Sequence, residues 1–543
     1  MKTDHCSSAL PNFLFSTFSR NTFPSLRRIA GKAVSIAALA FVGASLATSS
    51  LTAAAGTNAE QYSLVINNGR VIDPETGLDA IRNVGIRGGN IVTIADASET
   101  LTADQVIDAS GLVVSPGFID LHTHSPTPLG QHYQAFDGVT TALELEAGYA
   151  PVQNYAGQVS KQAMINYGAS AGYVSLRVKE KNGIVMSIGS ESPKPIGFKG
   201  WKTALMVYLF GRDTALAPSL RELASESELQ SLRASLLGEL DAGALGIGLP
   251  LDYFSDAIQA AEMRMIFQVA AERSAPLFIH IRRGIDGDPA GLREVIALAE
   301  DFGTSVHVCH ITHNAVSNLD LFLQEIASAR SKGVDITTEV LPYNAGSALI
   351  SSAVFGRDWQ TIFNISYEDV EWAATGERFD KATWEEYRET YPEGQVIHHY
   401  LKEAWTRQAV QSPGVIIVSD LLPMESKDKH VAPHNGAFSK ILGRYVREEG
   451  MLDLNTAISK MTLLPAQRLE QYAPAFKLKG RLQTGMDADI TIFNPNTILD
   501  NATYQQPYQE ATGIRHVIVN GKAVIRDGEK LEGSYPGLRI QAH

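Results

Sequence analysis

From Tyr62 to Val114 the chain alternates apolar and polar residues in short runs broken by turn pairs. Tyr62–Asn67, Asn83–Arg87, Asn90–Ile94, Gln105–Asp108 and Leu112–Val114 have the two-residue period of half-buried strands. Asn68-Gly69 and Gly88-Gly89 fall between such runs, which predicts hairpin turns. The same texture returns at the far end, in Ala488–Phe493, His516–Val519 and Ala523–Ile525, with Asn520-Gly521 between the last two. Two β-rich ends flanking one long middle predict a small β-sandwich made from both termini, with a larger domain inserted.

In the middle, β-rich runs alternate with helical stretches such as Ala260–Arg273 and Gly291–Phe302. That alternation predicts an α/β fold with parallel strands. The strands expected are Phe118–His122, Thr140–Glu146, one near Ile165–Ala171, one near Ala244–Leu249, Pro276–His280, Ser305–His310, Asp335–Val340 and Val415–Asp420. Eight such units fit a TIM-type (β/α)8 barrel, whose reactive residues sit at the C-terminal ends of its strands. Residues 345–411 are too long for a loop and rich in Trp, Tyr, Glu and Lys, so they predict an ordered insertion over the barrel mouth. The expected division is 56–115 for the N-terminal part of the sandwich, 116–475 for the barrel and 476–543 for the C-terminal part.

The polar residues at the expected strand ends are His122 and His124, Glu144 and Glu146, His280, His310 and Asp420. His122 and His124 lie two apart and so share one face of a strand. Any one of these could be a satisfied core group. Their collection at the tips of five strands of one barrel points to a metal site instead. A His-rich site with one or two carboxylates makes Zn2+ the expected metal, one ion or two, with other divalent metals open. Glu144 and Glu146 share a face. Glu146 lies nearer the strand's end and is the expected bridging ligand.

With 44% hydrophobic and 19% charged residues the chain has an ordinary globular enzyme composition. With a net charge of -13 nothing points to nucleic acid or to an anionic membrane as a partner. The two cysteines are Cys6 and Cys309. Residues 1–55 read as a signal peptide: Arg27-Arg28 and Lys32, an apolar run from Ala33 to Ala47, and Ala53-Ala54-Ala55 before a new terminus at Gly56. Cys6 leaves with it, so no intramolecular disulfide is expected, and Cys309 reads as a buried thiol. A periplasmic or secreted protein follows, with no stable membrane association once the leader is gone. The pattern fixes no oligomeric state.

Several collinear pieces resemble the amidohydrolase superfamily and, within it, the D-aminoacylase (N-acyl-D-amino-acid deacylase) branch. They include Gly111–His124, Asp137-Gly-Val-Thr-Thr141, Gly243-Ala-Leu-Gly246 followed by Tyr253, His280-Ile-Arg282, Pro342–Ser347, Ser419-Asp420, Gly436–Val446, Lys460-Met-Thr462, Gly485–Ile490 and Val519-Asn-Gly521. The resemblance implies a metal-dependent barrel with a β-sandwich built from both ends. It implies that His122 and His124 bind a buried metal and that His280 and His310 bind a second. It also implies that Asp420 handles a proton and that Tyr253 stands near the substrate carbonyl, a core tyrosine being the other reading. Three positions depart from the branch. Glu146-Ala147-Gly148 stands where the branch has Asn-Cys-Gly. Thr312 and His313 stand where it often has a lysine. The stretch His430–Gly436 stands where it has His-Pro-Arg, whose arginine grips a substrate carboxylate.

A metal at this site would polarise an amide carbonyl and acidify a water. The reaction class is hydrolysis of a non-peptide C–N bond of a small-molecule amide. The first substrate reading is an N-acyl-D-amino acid; a cyclic amide or a modified dipeptide is the alternative, and a catalytically silent binding barrel the third. For a carboxylate-bearing substrate, Arg282 is the expected anchor, because two residues beyond His280 it shares the metal-facing side if the strand continues. On that reading Arg283 points away. An ion pair of Arg282 with a loop carboxylate such as Asp286 is the competing reading.

Overall fold

The computed structural model describes residues 62–543 apart from 156, 158, 160, 187–193, 211, 393 and 428–430. The expected signal peptide, with Cys6, and His430 lie outside the described residues.

Eight parallel strands form the inner sheet, in sequence order around the ring: Phe118–Asp120, Val139–Tyr149, Asn166–Gly172, Ile247–Pro250, Leu277–His280, Val306–Val308, Ile336–Val340 and Val415–Ile417. The last returns to the first. Thr123 and Leu421 form a parallel bridge, His122 O accepts from Asp420 N at 2.9 Å, and Leu421 O accepts from His124 N at 2.8 Å. The bonds that complete the barrel therefore run between residues of the expected site. Leu143, Ile279 and Val308 alternate along their strands with Glu144, His280 and His307, which face the axis, and are buried in the large apolar cluster on the other side of the sheet. The first, sixth and eighth strands stop short of His122, His310 and Asp420, which leave the ladder at the mouth, whereas the second runs on past Glu146 to Tyr149.

Both chain ends enter one continuous nine-stranded sheet. Its two halves meet where Ile490–Phe493 runs antiparallel to Val113–Pro116, and its apolar side chains form a second core. Gly88 (φ 59°), Asn520 (φ 48°) and Gly521 (φ 76°) take the left-handed conformations that tight hairpins need. Asn68-Gly69 does something else. It is a bulge inside the strand Leu64–Asp73, with Asn68 (φ 62°) donating its N–H to Asn83 Oδ1 at 2.8 Å. A Cβ at Gly69 would lie 2.4 Å from Val114 Cγ2, so the glycine serves close packing.

The insertion has its own three-stranded sheet, Gly346–Leu349, Gln395–His398 and Val370–Trp372. Its core is aromatic, around Phe355, Trp359, Phe363 and Trp384. The helix Glu403–Gln411, placed in the insertion by sequence, packs on the barrel strands Ile336–Val340 and Val415–Ile417 and belongs to the barrel.

A second excursion, not foreseen in the sequence, lies between the third and fourth barrel strands. It carries the helices Tyr173–Asn182, Gly197–Phe210, Arg212–Arg221 and Glu226–Asp241. Arg177 ties it down. Its buried guanidinium is paired with Glu262 at 2.7 Å and donates to the carbonyls of Ser219, Glu222 and Ala257. That bracing fixes the 3-10 turn Leu251–Ala257, which follows the fourth strand and carries Asp252 and Tyr253.

Candidate metal centre

The first barrel strand ends at Asp120, and the next residues bring two imidazoles to the axis. Asp120 is fully buried and accepts from His122 N at 3.2 Å, from Ser419 N at 3.1 Å and from the Ser419 hydroxyl. Burial pushes its carboxyl up to about 7 against those bonds. His122 Nε2 and His124 Nε2 then lie 3.2 Å apart. Both face Glu146 Oε2 at 3.4 Å and Asp420 Oδ1 at 3.4 Å.

Glu146 occupies the centre. Its other oxygen, Oε1, lies 3.2 Å from His280 Nδ1 and 3.0 Å from His310 Nε2. Among the described residues four groups of possible ligands arise: His122, His310 and Asp420; His122, Cys309 and Glu339; His122, His124 and Glu146; and Glu146, His280 and His310. Glu146 is the residue common to the last two. Glu144 sits one step behind, 3.0 Å from His124 Nδ1.

The outer nitrogens are tied down. Glu339 Oε1 lies 2.5 Å from His122 Nδ1 and Oε2 lies 2.8 Å from His307 Nε2. An ionised carboxylate only accepts, so Nδ1 of His122 and of His124 carries the proton, and each Nε2 lone pair faces the cluster. Nitrogen lone pairs 3.2 Å apart beside two carboxylate oxygens suit a shared cation. The charge balance agrees. Burial works against protonating His122 and His124, yet each is raised well above the ordinary imidazole range, His122 by Asp420, Glu339 and Glu146 and His124 by Glu144, Asp420 and Glu146. Burial also works to raise Glu146, Glu339 and Asp420, yet the imidazoles hold all three below the usual carboxylate range, Glu339 at about 2. Positive charge is favoured at the centre, and the donor set fits a divalent metal there.

His310 (φ 30°) and Asp420 (φ 50°) both have left-handed backbone. For residues with a Cβ this is sparsely populated, and here it turns each side chain out of its strand direction toward the cluster.

The cavity over the cluster is lined by His124, Glu146, Tyr253, His280, His310 and Asp420 from the barrel, and by Gly346, Val354, His398 and Tyr400 from the insertion. The insertion is therefore a roof. Tyr253 sets its ring edge-on to His280, centroids 5.3 Å apart. Burial, with the charges of Glu146 and Asp420, raises its phenol well above the ordinary range, so it stays protonated. His313 and His434 also line the cavity. His434 is stacked on Tyr343 at 4.8 Å, its Nδ1–H bonded to Asp420 O at 2.8 Å.

The structure does not bring Arg282 to this cavity. Its guanidinium pairs with Glu294 at 2.9 Å and donates to the carbonyls of Ser255 and Ile258. The partner is Glu294, not Asp286. The strand ends at His280, so the two-residue period fails beyond it, and the residue that turns into the cavity is Arg283. Arg283 lies over the Phe363 ring at 4.9 Å, with Nη2 3.4 Å from His280 Nε2. Its Nε–H is buried with no hydrogen-bond partner. Glu339 is a site residue that the sequence signals only by its place near the end of the strand Ile336–Val340. Cys309 is buried and free, and burial pushes its thiol well up.

The amidohydrolase family profile matches residues 105–525. The chain belongs to the amidohydrolase family. It is a metal-dependent hydrolase acting on carbon–nitrogen bonds other than peptide bonds. It is 30% identical over 492 residues to an N-acyl-D-glutamate deacylase of Alcaligenes xylosoxydans xylosoxydans, covering 86% of this chain and 94% of that one. It is 28% identical over 507 residues to a D-aminoacylase of the same organism, covering 89% and 98%. Among solved structures, it resembles the N-acyl-D-glutamate deacylase of Bordetella bronchiseptica, complexed with zinc and a phosphonate mimic of the tetrahedral intermediate, with TM-score 0.71 and 25% identity over 89% of this chain and 100% of that one.

If Glu146 joins two metal sites, Glu146→Gln lowers bound zinc, measured by plasma emission on dialysed protein, from about two equivalents to one or fewer. Glu144→Gln, which only loosens the orientation of His124, costs less. The reverse ranking would give the joining role to Glu144.

Proposed function

We propose that this amidohydrolase is a zinc-dependent deacylase of N-acyl-D-amino acids. The observation that carries the reading is Arg283, a guanidinium opening on the same cavity as the His/Glu/Asp cluster. An amide substrate that also bears a carboxylate needs a fixed cation beside the hydrolytic centre, and an arginine fork supplies one. The likeness to deacylases over most of the chain supports the same class.

His122 and His124 would hold one zinc and His280 and His310 another, with Glu146 a candidate ligand to either. Bound there, zinc supplies Lewis acidity for the amide carbonyl and acidifies a water. Asp420, held ionised by its imidazole neighbours, accepts the water's proton at a carboxylate oxygen and returns it to the leaving nitrogen. Tyr253, held protonated, donates to the oxygen on which charge develops. The roof keeps bulk water from the cavity. We further infer export by the leader in residues 1–55, and N-terminal sequencing of mature protein should then begin at Gly56; protein recovered intact from Met1 would contradict it.

The reading is tested by a hydrolysis screen of N-acyl-D- and N-acyl-L-amino acids, lactams and dipeptides, followed by variants. Turnover of N-acyl-D-amino acids is expected, and Asp420→Asn abolishes it. Arg283→Met raises KM for them by one to two orders of magnitude, since a charge-assisted bond is worth about 1.5–3 kcal/mol. Arg282→Met leaves KM nearly unchanged. Hydrolysis confined to cyclic amides would overturn the deacylase reading, and equal losses for substrates with and without the carboxylate would remove Arg283 from recognition.

A further inference from the structure

The helix Gly197–Phe210 is built inside out. Its inner face is Gly200 and Thr203, both buried. Its outer face carries Phe198 (88% exposed), Trp201 (63%), Leu205 (56%), Tyr208 (85%) and Leu209 (56%). Positions 198, 201, 205, 208 and 209 follow the helical period, so they form one stripe. Scattered exposed apolar residues are ordinary, whereas a contiguous patch of large ones marks a surface that something covers.

Charge identifies the cover. Residues 194–209 contain Lys194, Lys199 and Lys202 and no Asp or Glu, on a chain of net charge -13. An apolar stripe with Trp and Tyr on it and lysines beside it is the composition of a helix lying in an anionic bilayer interface. At about 1.5 Å per residue the helix is too short to cross a membrane, and among the described residues no helix is long and apolar enough to do so. It can lie only in the plane. A second copy is a poor occupant. Two-fold pairing through this stripe would match apolar residues but would leave the lysines beside it with no acidic group of residues 194–209 to meet.

We propose that the Gly197–Phe210 helix docks the protein on an anionic phospholipid surface. The sequence-based expectation of no anionic-membrane partner rests on the charge of the whole chain and on loss of the leader, and the local charge of residues 194–209 runs against it. The helix Arg212–Arg221 packs against Gly197–Phe210 on one side and, on the other, against the turn Leu251–Ala257, which carries Tyr253 of the cavity wall.

The test is flotation of the full chain with vesicles of phosphatidylcholine alone or mixed with phosphatidylglycerol. Every variant keeps the N-terminal segment, so a difference between variants reports this helix. The full chain is expected to float with the anionic vesicles and to be released by salt. Phe198→Ser with Trp201→Ser, and separately Lys199→Glu with Lys202→Glu, should each lower partitioning about tenfold or more, with zinc content unchanged as a check on folding. Absence of flotation, or equal flotation of the full chain and both variants, overturns the proposal. So does a dimer, detected by sedimentation, that the Phe198 and Trp201 substitutions dissociate, because the stripe is then covered by a second copy.

Discussion

The structure depends on one electrostatic constraint. Four imidazoles and the carboxylates of Glu146, Glu144, Glu339 and Asp420 are gathered in the barrel mouth. Removing such groups from water costs several kcal/mol each unless something repays it. Within the protein they repay it in part, carboxylate to imidazole. The remaining demand is for positive charge at the centre, where the inner nitrogens and the oxygens of Glu146 converge. A divalent cation meets that demand and is at the same time the agent that amide hydrolysis requires.

The same constraint shapes the backbone. Barrel closure is not separate from the site, since His122 and His124 share backbone bonds with Asp420 and Leu421. A shift of the eighth strand would therefore move the proton acceptor and two ligands together. The left-handed backbone at His310 and Asp420 is local strain that the closed ring holds in place. The two excursions divide the remaining work: the aromatic insertion covers the cavity, and the helical one braces the turn that carries Tyr253.

Much of this was legible in the sequence, for physical reasons. Period-two runs at both ends announced the joined β domain, and polar residues at the tips of apolar runs announced the site. The failures share a cause. Arg282 was expected in the cavity by extending a strand period past the residue where the strand stops, and Arg283 took the place. Asn68-Gly69 has hairpin chemistry but lies where the strand needs a bulge. Glu339 stands near a strand end as the expected site residues do, but only the fold shows that its face meets His122. For the Gly197–Phe210 helix, hydropathy shows an apolar segment but not which side faces outward.

The central claim is that Glu146 joins two metal sites, one with His122 and His124 and one with His280 and His310. Its most direct test is a crystal structure of zinc-saturated protein with anomalous data at the zinc edge. The account predicts two anomalous peaks, one beside each oxygen of Glu146. A single peak at saturating zinc, or peaks that leave Glu146 without a contact, would contradict it.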